Sequence, residues 1–334
     1  MARIIIRLIG HPSAPELLAR GLAAGQWMAA ELAAAQLNSP LPERFEPSLS
    51  RLAPTNRWAA MTLVELGLDA TAAIPLARQE VEQLLADRAR TPGVMIRYSD
   101  DPKTAILASI LDEPDREHFA HTMLNRALDQ NDLNGNRFNS LAALHNIASH
   151  LEQPTKRILL PEVMALARGQ YADSASFELG AQQRLSSLAL RCVIQLDPPD
   201  DLWPEIELLG MTELIAASDS GQWHAAAALR AVPVNHSSVD LRLCAAHREP
   251  ALRALAGRRW LQTGEHTLPT YIEALAHDPD HRVRRYLAYQ IASADQQDQA
   301  SIALLADVLR NDVRRSIRSI MIRRAAQSLR REER

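Results

Sequence analysis

The sequence predicts an all-α chain built from repeated helix pairs, and three observations carry that prediction. Hydrophobic residues make up 47% of the 334 positions, yet aromatics are only 4% and glycines only 12, while alanine and leucine recur throughout. Alanine and leucine lose little on entering a helix, whereas sheets draw on β-branched and aromatic side chains. Second, an apolar residue followed by arginine recurs as Leu252-Arg253, Val283-Arg284 and Ile317-Arg318, at spacings of 31 and 34. Such a period is that of a two-helix repeat. Third, the Gly-Gln-Trp of 25–27 returns at 221–223, and Trp58 follows Trp27 by 31 positions.

Apolar spacing and stop signals order the elements along the chain. Residues 14–24 and 26–37 read as helices, the second ended by Asn38-Ser39-Pro40. A short helix over 47–53 precedes Pro54, and the next runs from Thr55 to Gly67. A longer one spans 71–90 before Thr91-Pro92-Gly93, and the pair 101–111 and 114–129 is split by Asp112-Glu113-Pro114. Residues 129–136, rich in Asn, Asp and Gly, read as a loop. Helices follow over 137–151, 155–168 and 174–196, the last stopped by Asp197-Pro198-Pro199, and 202–217 is weakly helical around Pro204. The start, with Ile4-Ile5-Ile6, is consistent with helix or strand and is taken as an N-terminal cap over 1–13.

The final third is the most regular. Asp278 and Asp312 each stand six residues before their arginine, Arg284 and Arg318, and His247 takes that place before Arg253. The Asp-Pro-Asp…Val-Arg pattern, followed by an alanine-rich helix, resembles a HEAT repeat of the short bacterial kind. The resemblance is clearest over 238–331 and rests elsewhere on helix spacing and the Trp openings, where Trp-x replaces Val-Arg. It implies a right-handed α-solenoid, one continuous array over 1–334, with Asp278, Arg284, Asp312 and Arg318 forming a ladder between neighbouring repeats. A single pair of about thirty residues buries too little apolar area to stand alone, so each repeat needs its neighbours. Val283, Leu287, Ile291 and Ala294 form one helical stripe, and Ile317, Ile320, Met321, Ala325 and Leu329 the next. The aspartates are placed to cap the first turn of the helix that follows.

Charge and motifs narrow the chemistry. Net charge is −3, and of 37 basic residues only Lys103 and Lys156 are lysines, a bias that a GC-rich genome produces without selection for phosphate contact. Cys192 and Cys244 stand apart among apolar residues, as core side chains. No stretch approaches the roughly 20 apolar residues of a membrane span, so no membrane is expected and the expected address is the cytoplasm. The 129–136 segment lacks a calcium loop's bidentate acid, because the twelfth position would be Leu141. His118 and His121 could share a helix face, and His277, Asp278, Asp280 and His281 crowd one turn, but neither group has a complete ligand set with a role unspoken for. No metal and no cofactor is expected.

The resemblance to HEAT-like proteins brings three known activities with it, and none finds its residues in this chain. Di-iron hydroxylases of this type use His-Glu dipeptides, and the chain has none. Alkylated-base DNA glycosylases use a basic face with aromatics; here Trp27, Trp58 and Trp223 share the repeat position filled by valine elsewhere and read as core. Nothing specific points to attachment of bilin chromophores. The expectation is therefore a non-enzymatic scaffold that binds another protein, with nucleic-acid binding or glycosylase action as the alternative. Residues 310–334, taken as a capping helix, hold nine arginines against three acids, and Arg314, Arg315, Arg323 and Arg324 are the candidate binding residues.

Overall fold

The computed structural model describes residues 41–86, 101–132, 134–171, 179–216, 219–264, 267–293 and 300–322. Among them every regular element is a helix, and there is no strand. None of these helices is long and apolar enough to cross a membrane. The chain divides by internal contacts into two compact units, 1–197 and 198–334, at the Asp197-Pro198-Pro199 stop visible in the sequence.

In the first unit the helices are α1 (Leu41–Leu52), α2 (Arg57–Glu65), α3 (Ile74–Ala86), α4 (Asp101–Ala108), α5 (Glu113–Leu128), α6 (Asn134–Ala148), α7 (Gln153–Ala167) and α8 (Leu179–Gln195). They pack in two rows: α4, α6 and α8 touch in sequence, and so do α3, α5 and α7, with α5 on α6 and α7 on α8 joining the rows. Asn56 caps α2, its Oδ1 accepting from the Ala59 N–H at 3.1 Å. Fully buried alanines, among them Ala105, Ala120, Ala143 and Ala148, set how closely these helices approach.

The second unit holds α9 (Trp203–Ala216), α10 (Asp219–Ala231), α11 (Leu241–Ala245), α12 (Pro250–Thr263), α13 (Thr270–Glu273), α14 (His281–Ser293), α15 (Ala300–Arg310) and helical residues 315–322 (α16). Here α10, α12 and α14 pack in sequence, and α11 packs on α12, as α15 does on α14. The three recurring apolar positions, Leu252, Val283 and Ile317, are all buried in one core with Leu287, Ile291, Ile320 and Met321. Trp260 is its largest member, 1% exposed, with Nε1 donating to the Thr267 carbonyl at 3.3 Å. Burial of such a side chain contributes about 2–3 kcal/mol. Gly257 on α12 meets Leu287 of α14, where a Cβ would lie 3.1 Å from its Cδ1, so the missing side chain permits the close crossing.

Several sequence expectations need correction. The short helix expected over 47–53 is α1, which begins at Leu41 and carries Pro47 inside it. The 129–136 loop is shorter than expected, because Asn134, Gly135 and Asn136 already belong to α6 and the Asn136 amide is buried, donating to Asp132 at 2.7 Å. The weakly helical 202–217 is a regular helix; Pro204 sits in its first turn, where a missing N–H costs nothing. The reading of 71–90 as one helix becomes a 3₁₀ turn over Thr71–Ala73 followed by α3. The segments 1–13, 14–24 and 26–37 lie outside the described residues, as does the capping region beyond 322.

Candidate partner-binding groove

At 253 and 284 the repeat arginine uses its whole fork. Arg253 donates from Nε to Asp278 Oδ2 at 2.6 Å and from Nη2 to Oδ1 at 2.9 Å, while Nη1 reaches the carbonyls of His247 and Arg248. Arg284 repeats this with Asp312, from Nε at 2.6 Å and Nη2 at 3.4 Å, and its Nη1 reaches the carbonyls of Asp278 and Pro279. Arg318 holds the carbonyls of Asp312 and Val313 in the same way. Each guanidinium thus closes its own repeat's turn, and those of Arg253 and Arg284 also grip the aspartate that opens the next, a bidentate geometry that lysine could not reproduce. Of the expected ladder, the Arg284–Asp312 rung is present and Arg253–Asp278 precedes it, whereas Arg318 binds carbonyls of its own turn. The capping role shifts by one turn position: Asp278 accepts from the Asp280 N–H at 2.8 Å, before the helix, and Asp280 itself caps α14 through Arg282 N at 2.8 Å.

The charges follow this geometry. The Arg282 guanidinium beside Asp280 holds its carboxyl down at about 2, against some desolvation. For Asp312, burial opposes ionisation, but hydrogen bonds from Arg284 and the Arg314 N–H outweigh it and lower the pKa. In the four-ligand turn at 277–281, both aspartates are therefore occupied by arginines, and His281 lies 3.8 Å from Asp280. His118 is exposed and His121 sits 3.7 Å from Glu117. Among the described residues no group of three or more His, Cys, Asp or Glu is arranged to hold a metal. Cys192 and Cys244 are buried and unpaired, and burial pushes the Cys244 thiol up to about 11.

The ladder fixes α12 against α14, and the row of α10, α12 and α14 encloses a groove of about 370 Å³. Its floor is apolar: Ala226, Ala251, Ala254, Leu255 and Val283. Along one wall stand Arg282, Arg285, Tyr286 and Tyr289 of α14, and Arg230 faces them from α10. Arg230 donates from Nη1 to the Tyr286 hydroxyl at 2.9 Å, its guanidinium carbon 5.5 Å from the centre of that ring. Tyr289 is 55% exposed, a large aromatic open to solvent. Arg285 is exposed and makes no side-chain hydrogen bond or ion pair with the described residues; Arg282 is engaged by Asp280 at 2.8 Å but keeps 59% of its side chain exposed. Glu249 is the single acid of the lining.

The candidate arginines of the C-terminus are placed only in part. Arg314 and Arg315 are exposed at the start of α16, without side-chain partners among the described residues, whereas Arg318 is taken up by the ladder and Arg310 approaches Asp307 at 3.4 Å. Arg323 and Arg324 lie outside the described residues. Of the tryptophans, Trp58 is half-buried with the Lys103 ammonium 4.9 Å over its ring; Trp27 and the Trp223 side chain lie outside the description. The groove residues were not singled out from sequence. Their signal was nevertheless there, because Arg282, Arg285, Tyr286 and Tyr289 fall at i, i+3, i+4 and i+7 of one helix, a single face. No known protein family, no curated protein and no solved structure matches the chain.

Proposed function

We propose that this protein is a non-enzymatic scaffold, an α-solenoid of HEAT-like helix pairs winding as a right-handed superhelix, that binds another protein on the face of the α10, α12 and α14 row. The observation that carries the reading is the groove itself: an apolar floor, an exposed tyrosine and an unpaired arginine on elements pinned by the Arg–Asp ladder. Exposed aromatics beside arginines on a rigid support are the residue types that dominate protein-binding hot spots. Two unpaired buried thiols fit the proposed cytoplasmic address.

A photo-crosslinking residue placed at Tyr289 of the full chain tests this in cells of its own source. The expected result is one protein crosslinked reproducibly and displaced by excess unlabelled chain. If no protein is captured above an Arg242 control site, the scaffold reading fails. A second reading, nucleic-acid binding, rests on the exposed and unpaired Arg314 and Arg315. It requires affinity for a DNA or RNA duplex that drops steeply with salt, with a slope reduced when both arginines become Gln.

A further inference from the structure

We infer that the groove takes an acidic segment of the partner protein, with one apolar side chain of that segment seated on the alanine floor between Tyr286 and Tyr289. The inference rests on the scaffold reading and names the chemistry of what that scaffold holds. Charge is its first support. Three arginines, Arg230, Arg282 and Arg285, line the cleft against the one carboxylate of Glu249, in a chain whose net charge is −3. Asp280 balances Arg282, so Arg230 and Arg285 face Glu249 and the groove keeps an excess of positive charge although the chain as a whole is weakly acidic. A local cluster of guanidinium groups recognises carboxylates through paired N–H donors and selects partners by charge complementarity.

Size and shape supply the second support. Arg282 and Tyr289 are seven residues apart on α14, about 10 Å along the axis at 1.5 Å per residue. That length matches about three residues of an extended chain or two turns of a helix. The floor is made of alanines beside Leu255 and Val283, in a cavity of about 370 Å³. Arg285 lines the cleft, exposed and with its donors unspent, and Tyr289 offers an exposed aromatic side chain to the anchor. Glu249 sets polarity, since acids of the segment must lie towards Arg282 and Arg285 and away from it.

A nucleic acid fits the groove less well. Base stacking needs open ring faces. The Tyr286 ring is already covered by the Arg230 guanidinium and its hydroxyl is tied to the same arginine. Only Tyr289 remains, and one ring does not make a stacking platform.

The test begins with random 12-residue peptides displayed against the full chain. The strongest binder is then synthesised with a fluorescent label and titrated against wild type, Arg285→Glu, Ala254→Trp and Arg242→Glu. The inference expects binders rich in Asp and Glu around one Leu, Phe or Trp. It expects at least tenfold weaker binding by Arg285→Glu and by Ala254→Trp, and no change for Arg242→Glu on α11. Arg285 is exposed, so its variant reads the groove even if the tryptophan at 254 disturbs the fold, which circular dichroism and thermal melting check. Neutral or basic binders, or acidic binders indifferent to Arg285→Glu, overturn the acidic-segment inference; a specific crosslink at 289 alongside that result leaves the scaffold standing. Displacement of the peptide by a 12-nucleotide single strand at physiological salt overturns it in favour of nucleic acid. If display gives no binder and the crosslink captures nothing, the scaffold reading falls with it.

Discussion

The two units solve one problem with different residues. In the second, an arginine fork ties each turn to the next repeat's aspartate, at Arg253–Asp278 and Arg284–Asp312. In the first, Arg116 reaches the Leu111 carbonyl at 2.6 Å, five positions back as in the second unit's ladder, but its fork is taken by its own Glu113. Glu113 in turn accepts from the Glu152 N–H at 2.9 Å, so the tie to the next helix pair runs through a carboxylate and a backbone amide. One step further along, Lys156 donates to Asp197 at 2.5 Å. That aspartate is 56% exposed and is the only non-glycine with positive φ among the described residues. A regular period lets one bidentate contact recur; where the helices are longer and the spacing near 40, a lysine point charge and borrowed backbone groups take over. Buried arginines patch both units in another way. Arg137 donates to the Ala127 and Tyr171 carbonyls, and Arg259 to those of Leu229 and Val232; Ala127 and Leu229 lie in the last turns of α5 and α10, whose carbonyls have no helical partner.

Cutting the arginine fork should produce the largest effect. Arg284 and Asp312 side chains are 11% and 5% exposed, so Arg284→Ala strands a buried carboxylate and Asp312→Ala a guanidinium. Removal of one partner of such a pair costs about 3–5 kcal/mol. Urea unfolding should show that loss, with amide exchange accelerating first in 281–322. A double-mutant cycle should return a coupling well above that of any exposed pair. Were the loss below about 1 kcal/mol, a threshold set by surface ion pairs, the ladder would be ornament and the contrast between units would collapse.

Lys156→Met should cost less. Its ammonium is nearly buried but Asp197 is mostly in water, and half-exposed pairs contribute about 1 kcal/mol or below. The same substitution leaves the methylene stem packed. A loss as large as that of Arg284→Ala would mean that the lysine tie is equivalent to the fork and the distinction drawn from geometry is wrong.

Smaller still is the change at the point where the ladder starts. His247 stands where Asp278 and Asp312 stand in later repeats, and its Nδ1 accepts from the Glu249 N–H at 3.0 Å as they accept from theirs. The chain has Gln222, not arginine, 31 positions before Arg253, so an aspartate at 247 would have no fork to receive. His247→Ala should therefore cost about 1 kcal/mol, the value of a lost turn acceptor, and His247→Asp close to nothing. Thermal melting distinguishes the two; equal losses for both would mean that the imidazole does more than accept.

The legible part of this structure was whatever repeats. Apolar-Arg spacing and the Asp six residues earlier located the buried positions Leu252, Val283 and Ile317 and the ladder acids, because each copy confirms the others. The i, i+3, i+4, i+7 face of Arg282 to Tyr289 was equally local but occurs once, and a lone arginine-tyrosine face is indistinguishable from a solvated surface until α10 and α12 supply the floor and Arg230. Lys156–Asp197 was hidden for another reason: 41 residues separate the partners, and a lysine stands where the ladder has arginine. The helix starts at Leu41 and Asn134 were missed because proline and Asn/Gly signals, which mark ends in isolation, are tolerated once tertiary packing holds the backbone.

The last contrast is read in pH and should be the mildest, since it rests on neutral imidazole rather than a broken fork. In the first unit burial keeps the His145 pKa low, helped by the nearby positive Arg191, and its Nε2 is buried without a hydrogen-bond partner. Burial lowers His150 also, with Arg116 and Lys156 contributing. A histidine whose folded pKa is depressed contributes stability that is complete above its unfolded value, about 6.5, and is lost as pH falls below it. Asp280 and Asp312 obey the same sign at another place: their contribution is present above about 4 and is lost as pH falls below it, for Asp280 down to about 2. Between pH 7 and pH 5 the first unit should therefore weaken while the ladder of the second holds. Amide exchange at the two pH values, corrected for intrinsic rates, should show 134–171 losing protection and 281–293 keeping it. His145→Gln should flatten the response in the first unit, because glutamine cannot take up the proton whose burial the fold resists.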